Sequence, residues 1–307
     1  MDIYTTDHYP LPLPPGHRFP AEKYTLLRER VEADLPAGCR LIRSTPASDE
    51  ELLRAHNSDY IERMKSGDLD RRDILRLGLP WSHELVLRSR HSTGATLSAG
   101  RSALRDGLAV HLAGGTHHAF ADRAEGFCVF NDAVVTARTL QKEGLVDRVA
   151  VMDADVHQGN GTATITAGDD SIFTFSIHGR KNFPFLKAAS DLDIALPDQT
   201  EDEVFLASWQ HGVRQAFRLA RPDLVIYLAG ADPFEHDRFS RWRITKEGLA
   251  RRDLFILEEC CRRQTPVIVT MAGGYGREIR DTVDIHEQTV RIAAEVARGW
   301  PAPVVAT

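Results

Sequence analysis

The sequence predicts an α/β fold in which a central, mostly parallel β-sheet lies between two layers of helices, as a three-layer α-β-α sandwich. Two observations support this prediction. Short apolar runs alternate along the chain with longer amphipathic runs, which indicates a parallel sheet covered by helices. Several of the apolar runs are also nearly continuous, as is typical of strands buried on both faces of a sheet.

The expected elements alternate along the chain. The strand segments are short β-rich runs, namely Leu108–Leu112, Arg148–Asp153, Ser171–Ile177, Asp223–Leu228 and Pro266–Met271. The helix segments have amphipathic spacing and are His83–Arg105, Asn131–Glu143, Glu201–Leu219, Lys246–Arg263 and Asp284–Arg298. Because no internal repeat or long linker separates these elements, we expect a single domain over residues 1–307.

The composition is that of a globular protein. Of the 307 residues, 42% are hydrophobic and 27% are charged, which is enough apolar material for a large buried core. The formal net charge of −6 lacks the basic surplus of a general nucleic-acid binder, so we expect no direct nucleic-acid partner. The four cysteines form no C-x-x-C pair, which favours reduced thiols. No signal-like N-terminus or bilayer-length apolar run is present, so we expect a cytoplasmic protein without membrane contact.

Polar residues cluster where four of the predicted strands end. The segments concerned are Gly114–His118, Asp153–His157, Gly230–Asp232 and Gly273–Gly276. In open α/β sheets, ligands bind outside the carboxyl ends of the strands. We therefore expect these four segments, which are distant in sequence, to converge on one crevice.

The densest of these clusters has the residue types of a metal site. Residues two apart on an extended segment point the same way, so Asp155 and His157 could face one metal ion while Asp153 supports them from behind. Asp232 can supply a third ligand, although an Asp before Pro is also a common turn residue. Aspartate and histidine suit Zn²⁺, which in catalytic sites takes three protein ligands and a water molecule.

Two further segments carry groups that suit acyl transfer. His117 and His118 are adjacent in a glycine-rich loop, and histidine is the side chain most easily tuned for proton transfer near neutral pH. Tyr275 is flanked by glycines, so its hydroxyl could donate to the oxyanion of a tetrahedral intermediate. Taken singly, the histidine pair is also compatible with a plain surface or core role, and the Tyr275 segment on its own favours a plain turn with an exposed tyrosine.

Together, these segments resemble the histone deacetylase family, which has the arginase/deacetylase fold. The matching motifs are GGTHHA at Gly114–Ala119, GFCVFNDA at Gly126–Ala133, DADVHQGNGT at Asp153–Thr162, FSIHG at Phe175–Gly179, GADP at Gly230–Pro233 and AGGYG at Ala272–Gly276. Three more segments look like the class IV branch of the family, namely LPPGHRFPAEKY, LGLPW at Leu77–Trp81 and the run Glu235–Asp253. The resemblance implies a central sheet of about eight strands and a single deacetylase-like catalytic domain.

The resemblance also implies a role for each matching residue. One Zn²⁺ would be held by Asp155, His157 and Asp232. His118 would act as general base and then general acid, with His117 as an electrostatic partner. Tyr275 would polarise the acyl carbonyl. Two further positions would orient the histidines, namely Asp153 beside His117 and Asn160 beside His118. Asn160 carries no charge, which leaves open which histidine acts as the base.

A substrate tunnel and a second cation site are implied in the same way. The tunnel positions are Gly126, Phe127, Phe183, Phe185, Phe239 and Gly274, with Phe183 and Phe185 as alternatives for one aromatic wall. A structural K⁺ would lie near the catalytic metal, at Asp153, Asp155, His157, Ser176 and Ile177, partly through backbone carbonyls. The implied substrate is an acylated lysine of a protein or peptide, carrying an acetyl or longer fatty acyl group.

Three alternatives to a lysine deacylase remain open from the sequence. A deacylase of small acylated amines such as acetylpolyamines would present an acidic residue near Phe239, where only Glu235 and Asp237 are close. A binuclear manganese ureohydrolase shares the fold but needs DAHxD and SxDxDxxDP patterns, which the sequence lacks. A binding protein on a decayed scaffold would have lost catalytic residues, whereas every matching position holds a competent one.

Overall fold

Eight parallel strands form one sheet at the centre of the structure, a computed structural model that describes residues 1–300. Their bounds are β1 (Asp2–Thr5), β2 (Arg40–Arg43), β3 (Leu108–His111), β4 (Val149–Asp153), β5 (Ile172–Gly179), β6 (Leu192–Leu196), β7 (Leu224–Leu228) and β8 (Val267–Thr270). The strand order is β2-β1-β3-β8-β7-β4-β5-β6, and every neighbouring pair is parallel. The predicted sheet is confirmed.

Helices cover both faces of this sheet. Their bounds are α1 (Glu22–Ala33), α2 (Asp49–Leu52), α3 (Ser58–Ser66), α4 (Arg71–Leu77), α5 (His83–Asp106), α6 (Asp132–Lys142), α7 (Asn160–Ile165), α8 (Asp202–Ala220), α9 (Lys246–Arg263) and α10 (Ile279–Arg298). Among residues 1–300, none of the helices combines the length and the apolar character that crossing a bilayer requires.

Alternate residues of the strands pack into two different cores. Val110 and Met152 contribute to a core with residues of α1, α8, α9 and α10, whereas Ala109 and Val151 contribute to a core with residues of α5 and α6. Successive side chains of a strand point to opposite faces, so a sheet that is covered on both faces needs apolar residues at every position. The continuous apolar runs therefore reflect burial between two helical layers, and the predicted three-layer sandwich is confirmed.

All ten predicted elements are present, with one early helix start and several omissions. Helix α10 begins at Ile279, ahead of the predicted Asp284. Strands β1, β2 and β6, helix α1 and the short helices α2, α3, α4 and α7 were not predicted. The edge strands β2 and β6 are partly exposed, so they lack the continuous apolar pattern on which the prediction relied. Strand β1 is buried but has only four residues and begins with Asp2.

The strand order explains how distant segments of the chain meet. Strands β3, β8, β7 and β4 are consecutive neighbours in the sheet. The loops that follow them therefore leave the same edge side by side, because all four strands run in one direction. The segments Gly114–His118, Gly273–Gly276, Gly230–Asp232 and Asp153–His157 consequently converge on one crevice, as the sequence predicts.

Candidate active site at the carboxyl edge of the sheet

Asp155, His157 and Asp232 form a buried group that could hold a metal ion, with one ligand atom from each within 4.8 Å of the others. The Nδ1 atom of His157 lies 2.9 Å from Asp155 Oδ1 and 3.1 Å from Asp232 Oδ2. Backbone groups fix both carboxylates, since Gly273 N donates to Asp155 Oδ2 at 2.8 Å and Val156 N donates to Asp232 Oδ1 at 2.9 Å. The three predicted ligands are thus brought together.

The two carboxylates lie so close to the backbone at position 273 that only glycine fits there. A Cβ atom at this position would lie 2.0 Å from Asp232 Oδ2 and 2.5 Å from Asp155 Oδ2. Any side chain here would therefore push at least one carboxylate out of place. The glycine-rich segment after β8 accordingly has a steric role at the metal group, besides carrying Tyr275.

The electrostatics of this group favour positive charge. Burial, together with the negative charge of Asp155, raises the pKa of Asp232 to about 7. Burial opposes protonation of His157, but its hydrogen bonds to Asp155 and Asp232 outweigh this effect and raise its pKa to about 10. The negative charges of Asp155 and Asp232 repel each other, and a proton on the His157 imidazole between them reduces this repulsion. A bound cation would reduce it in the same way.

The two adjacent histidines have different partners. His117 Nδ1 lies 2.6 Å from Asp153 Oδ2, whereas His118 Nδ1 lies 2.7 Å from Asn160 Oδ1. Burial lowers the pKa of His117, but the charges of Asp153 and Asp155 outweigh it and raise that pKa to about 9. For His118, burial and the charge on His117 act together and hold its pKa well below the usual range. His117 therefore holds a proton more readily than His118.

Asn160 is linked outward to a carboxylate that the sequence analysis missed. Its Nδ2 donates to Glu125 Oε1 at 3.0 Å, so a chain of two hydrogen bonds runs from His118 through Asn160 to Glu125. The side chain of Glu125 is 18% exposed, and its other oxygen lies 3.6 Å from Arg123 Nε. Glu125 directly precedes the GFCVFNDA motif, and that adjacency was the only sequence signal for it.

Tyr275 is buried in the loop after β8 and is held there by two residues that the sequence analysis did not assign. Its backbone N–H donates to Asp237 Oδ2 at 2.5 Å. Lys23 Nζ donates to Gly274 O at 3.2 Å and lies 5.2 Å from the centroid of the Tyr275 ring. Burial raises the pKa of Tyr275 well above its usual range, and the nearby carboxylate of Asp155 raises it further. The phenol therefore keeps its proton.

A cavity of about 880 Å³ leads from the surface to His118 and His157. Aromatic side chains line it: the ring centroid of Phe183 lies 4.9 Å from that of His118, and Phe239 lies 4.9 Å from Tyr275. Phe127 lines the same cavity, with its ring centroid 5.9 Å from that of Tyr275.

The cavity distinguishes between Phe183 and Phe185, the two alternatives for the second aromatic wall. Phe183 contacts His118 at the inner end, whereas Phe185 is 85% exposed and lies at the outer end. Gly126 is needed beside His118, because a Cβ there would lie 2.6 Å from His118 Cδ2. Among residues 1–300, the cavity wall does not include Gly274, whose carbonyl is turned towards a lysine instead.

With this geometry in place, comparison with known proteins decides the family. The model of the histone deacetylase domain matches residues 17–290. The chain belongs to the histone deacetylase family. This match covers every motif on which the predicted resemblance rested, and it establishes a deacetylase-type hydrolase domain.

Individual relatives agree with the family assignment. An uncharacterized protein of Picosynechococcus sp. is 38% identical over 96% of this chain and 98% of its own length. The acetoin utilization protein AcuC of Staphylococcus aureus is 29% identical over 81% of this chain and 69% of its own length. Histone deacetylase 2 of Arabidopsis thaliana is 26% identical over 80% of this chain and 66% of its own length.

A solved structure supports the fold of this family member. The crystal structure of the HDA15 HD domain superimposes with a TM-score of 0.80 and 20% identity, covering 97% of this chain and 91% of that chain. At this identity the likeness establishes the fold alone.

The assignment to class IV and the K⁺ site are among the finer expectations that stay predictions for this histone deacetylase family member. At the expected K⁺ positions, Asp153 pairs in register with Ser176 on β5, and Ser176 Oγ lies 3.0 Å from His178 Nδ1, while the side chain of Ile177 is fully buried. The strand register thus brings two of the expected positions side by side.

Proposed function

We propose that this protein is a zinc-dependent amide hydrolase that removes acyl groups, acetyl or longer fatty acyl, from lysine side chains of proteins or peptides. Family membership supports the deacetylase chemistry. The observation that carries the proposal is the aromatic-lined cavity, which ends at His118 and the metal group. An extended aliphatic side chain with an acyl amide at its tip suits a passage of this kind.

The residues present fit a zinc ion. Two carboxylates and one imidazole with donor atoms within 4.8 Å match the chemistry and the ligand number of catalytic zinc sites. Asp155, His157 and Asp232 would hold the ion, and His157 would bind it in its neutral form. When bound, zinc would supply Lewis-acid polarisation of the acyl carbonyl and of a water molecule.

His118 is the proposed general base. Its Nδ1 is engaged with Asn160 Oδ1, so Nδ1 carries the proton and Nε2 is free to accept one from water. A depressed pKa keeps this imidazole neutral and ready to accept. After attack, the same nitrogen can give the proton to the leaving amine. His117, charged through Asp153, would instead stabilise negative charge electrostatically.

Glu125 supplies the charge that Asn160 lacks. When His118 takes up a proton, the imidazolium can donate from Nδ1 to Asn160 Oδ1, and the amide in turn donates to Glu125 Oε1. The carboxylate thereby stabilises the imidazolium at a distance, through an oriented amide dipole. We infer that Glu125 is a positioning residue of the base.

Tyr275 is the proposed oxyanion donor. Its phenol remains protonated and lies at the inner end of the cavity. The hydroxyl can donate to the oxygen that gains negative charge as the amide carbon becomes tetrahedral. Asp237 and Lys23 hold the loop that carries it, through the Tyr275 N–H and the Gly274 carbonyl.

Acetylpolyamines fit this site less well than acyl-lysines. Asp237, one of the two acidic residues near Phe239, is buried and accepts hydrogen bonds from Tyr275 N and Phe239 N. It is therefore committed to the loop rather than available to a second substrate amine. The other, Glu235, is not among the described residues that line the cavity.

The test combines zinc content with hydrolysis of a lysine-peptide panel that carries acetyl to myristoyl groups. Wild type should hold one zinc per chain and hydrolyse at least one peptide. His118→Ala should lose turnover, and Tyr275→Phe should lower kcat by roughly 10²-fold while keeping zinc. If wild type hydrolysed acetylpolyamines and no lysine peptide, small acylated amines would replace acyl-lysine as the proposed substrate. Near-wild-type turnover in either variant would remove the substituted residue from the mechanism.

A further inference from the structure

The mouth of the cavity is strongly basic. Five cationic side chains line it, which we call the basic mouth: Arg18, Arg76, Lys181, Arg238 and Arg241. All five residues are exposed to solvent. The whole chain has a net charge of −6, so this concentration of positive charge is a local departure from the rest of the molecule.

Neighbouring carboxylates neutralise only part of this charge. A single residue, Asp198, lies 3.5 Å from both Lys181 Nζ and Arg241 Nη1. Arg76 lies 3.6 Å from Asp73, whose carboxylate is also bound by a second arginine at 2.9 Å. Within residues 1–300, no ion pair reaches the two remaining members of the basic mouth, Arg18 and Arg238.

The acidic residue of the cavity wall does not compensate these two arginines. Glu125 is engaged with Asn160 on one oxygen and lies near Arg123 on the other. Even counted in full, this single carboxylate offsets only one of the five cations of the basic mouth. The basic mouth keeps a net positive charge where a substrate would enter.

The two unpaired arginines lie directly beside the aromatic walls. The guanidinium carbon of Arg18 lies 5.0 Å from the centroid of the Phe127 ring. Arg238 immediately precedes Phe239 in the chain, and both residues line the cavity. Both side chains are thus placed to meet the residues that flank an acylated lysine, rather than the acyl group itself.

We propose that the substrate of the basic mouth is a peptide segment in which the acylated lysine is flanked by acidic residues. This inference rests on the proposed deacylase function and adds the substrate class. Opposite charges across an interface speed encounter and fix register, and like charges exclude wrong partners. Lysine-rich segments and amines with further ammonium groups are therefore disfavoured at Arg18 and Arg238.

The first experiment compares three acyl-lysine peptides of equal length, all carrying the acyl group that wild type hydrolyses fastest in the panel. The acylated lysine is flanked by aspartate and glutamate, by neutral residues, or by lysine and arginine. The acidic peptide should exceed the basic one in kcat/KM by about tenfold or more, since each exposed ion pair contributes roughly two- to fivefold. The ratio should fall as salt rises to about 1 M, where exposed charges are screened within about 3 Å.

The second experiment reverses the charge of the mouth. In Arg18→Glu/Arg238→Glu the ratio of kcat/KM for the acidic and basic peptides should fall towards one or invert. Arg218→Glu is the matched control, because Arg218 is exposed near the end of α8 and precedes β7, at the opposite edge of the sheet. The ratio is taken within each variant, so a general loss of activity does not affect it.

The outcomes separate this inference from the function on which it rests. Hydrolysis of all three peptides with equal efficiency, or a preference for the basic one, overturns the charge preference alone. An unchanged ratio in the double variant overturns the role of Arg18 and Arg238. If wild type hydrolyses no lysine peptide of any acyl length from acetyl to myristoyl, the proposed lysine deacylase function is overturned, and this inference with it.

Discussion

Glu125→Gln tests whether the base depends on a charge that lies two hydrogen bonds away. The substitution keeps an oxygen that can accept from Asn160 Nδ2 and removes the negative charge. The orientation of Asn160, and with it the contact with His118 Nδ1, should therefore persist. What changes is the electrostatic support for the imidazolium that forms when His118 accepts a proton.

The size of the effect follows from the geometry. With hydrogen bonds of 2.7 and 3.0 Å and one amide between them, the charges are about 7 Å apart, where unit charges interact by about 2 kcal/mol at an effective dielectric constant of about 20. Arg123, 3.6 Å from Glu125, and partial exposure to water reduce this. We expect about 1 kcal/mol to remain, which lowers kcat about fivefold.

The assay is kcat and the pH profile of kcat/KM on a neutral acetyl-lysine peptide. Loss of the carboxylate lowers the pKa of His118 further, so the acid limb should move to lower pH while the plateau falls. Asp122→Asn is the matched control, because Asp122 pairs with the same Arg123 at 3.0 Å and has no hydrogen bond to Asn160. If Glu125→Gln retained the wild-type profile while Glu125→Ala lost activity, orientation rather than charge would be the role of Glu125, and the reasoning would fail.

Two further variants test the metal group and the packing behind it. Gly273→Ala would place a Cβ 2.0 Å from Asp232 Oδ2, so we expect at least about tenfold weaker zinc binding, measured by metal titration, with Gly299→Ala as control because its nearest contact is 3.6 Å. Wild-type zinc affinity in Gly273→Ala would contradict this. Arg252→Ala would leave Asp253 buried without its cation and should lower the free energy of unfolding by about 3–5 kcal/mol in urea denaturation. A loss below about 1 kcal/mol would show that the pair is dispensable.

The fold was predictable where burial alone decides the pattern. The central strands are covered on both faces and are apolar at every position, so they could be read directly from the sequence. Strand β1 could not, because its first residue is an aspartate that is only 2% exposed. Arg40 and Arg105 bind this carboxylate, and Asp2 pairs in register with Ala109 on β3. A charge in a buried strand is allowed only by tertiary partners that no local pattern reveals.

The candidate site was predictable where the residue types themselves specify chemistry. Asp155, His157 and Asp232 stand out as metal ligands wherever they meet, and the parallel sheet makes them meet. Lys23 could not be found in this way, because its role depends on backbone carbonyls of Ala272 and Gly274, some 250 residues further along the chain. Backbone acceptors are present at every residue, so the sequence carries no signal for such a contact.

The buried charges around the metal group explain the fit of a divalent cation. Three carboxylates, those of Asp153, Asp155 and Asp232, lie within this region and all three are at most 3% exposed. His117 contributes one positive charge through its raised pKa of about 9. If His157 binds a metal as a neutral imidazole, the remaining charge of −2 equals that of one divalent cation with opposite sign. The metal ion would replace the proton that His157 Nδ1 otherwise shares with Asp155 and Asp232.

Once His117 and a divalent cation have neutralised the three carboxylates, no negative charge remains to stabilise a positive charge on His118. This favours His118 as the neutral histidine and therefore as the base. A carboxylate directly behind His118 would add one negative charge and raise the pKa of His118, so that less of the neutral imidazole, the form that accepts a proton, would be present. Asn160 at that position keeps His118 neutral at rest. Glu125, one hydrogen bond further out and partly exposed, is close enough to stabilise the imidazolium once it forms and too far to hold a proton on it beforehand. In the proposed mechanism, the division of labour between the adjacent histidines would thus follow from the distance of each from its carboxylate.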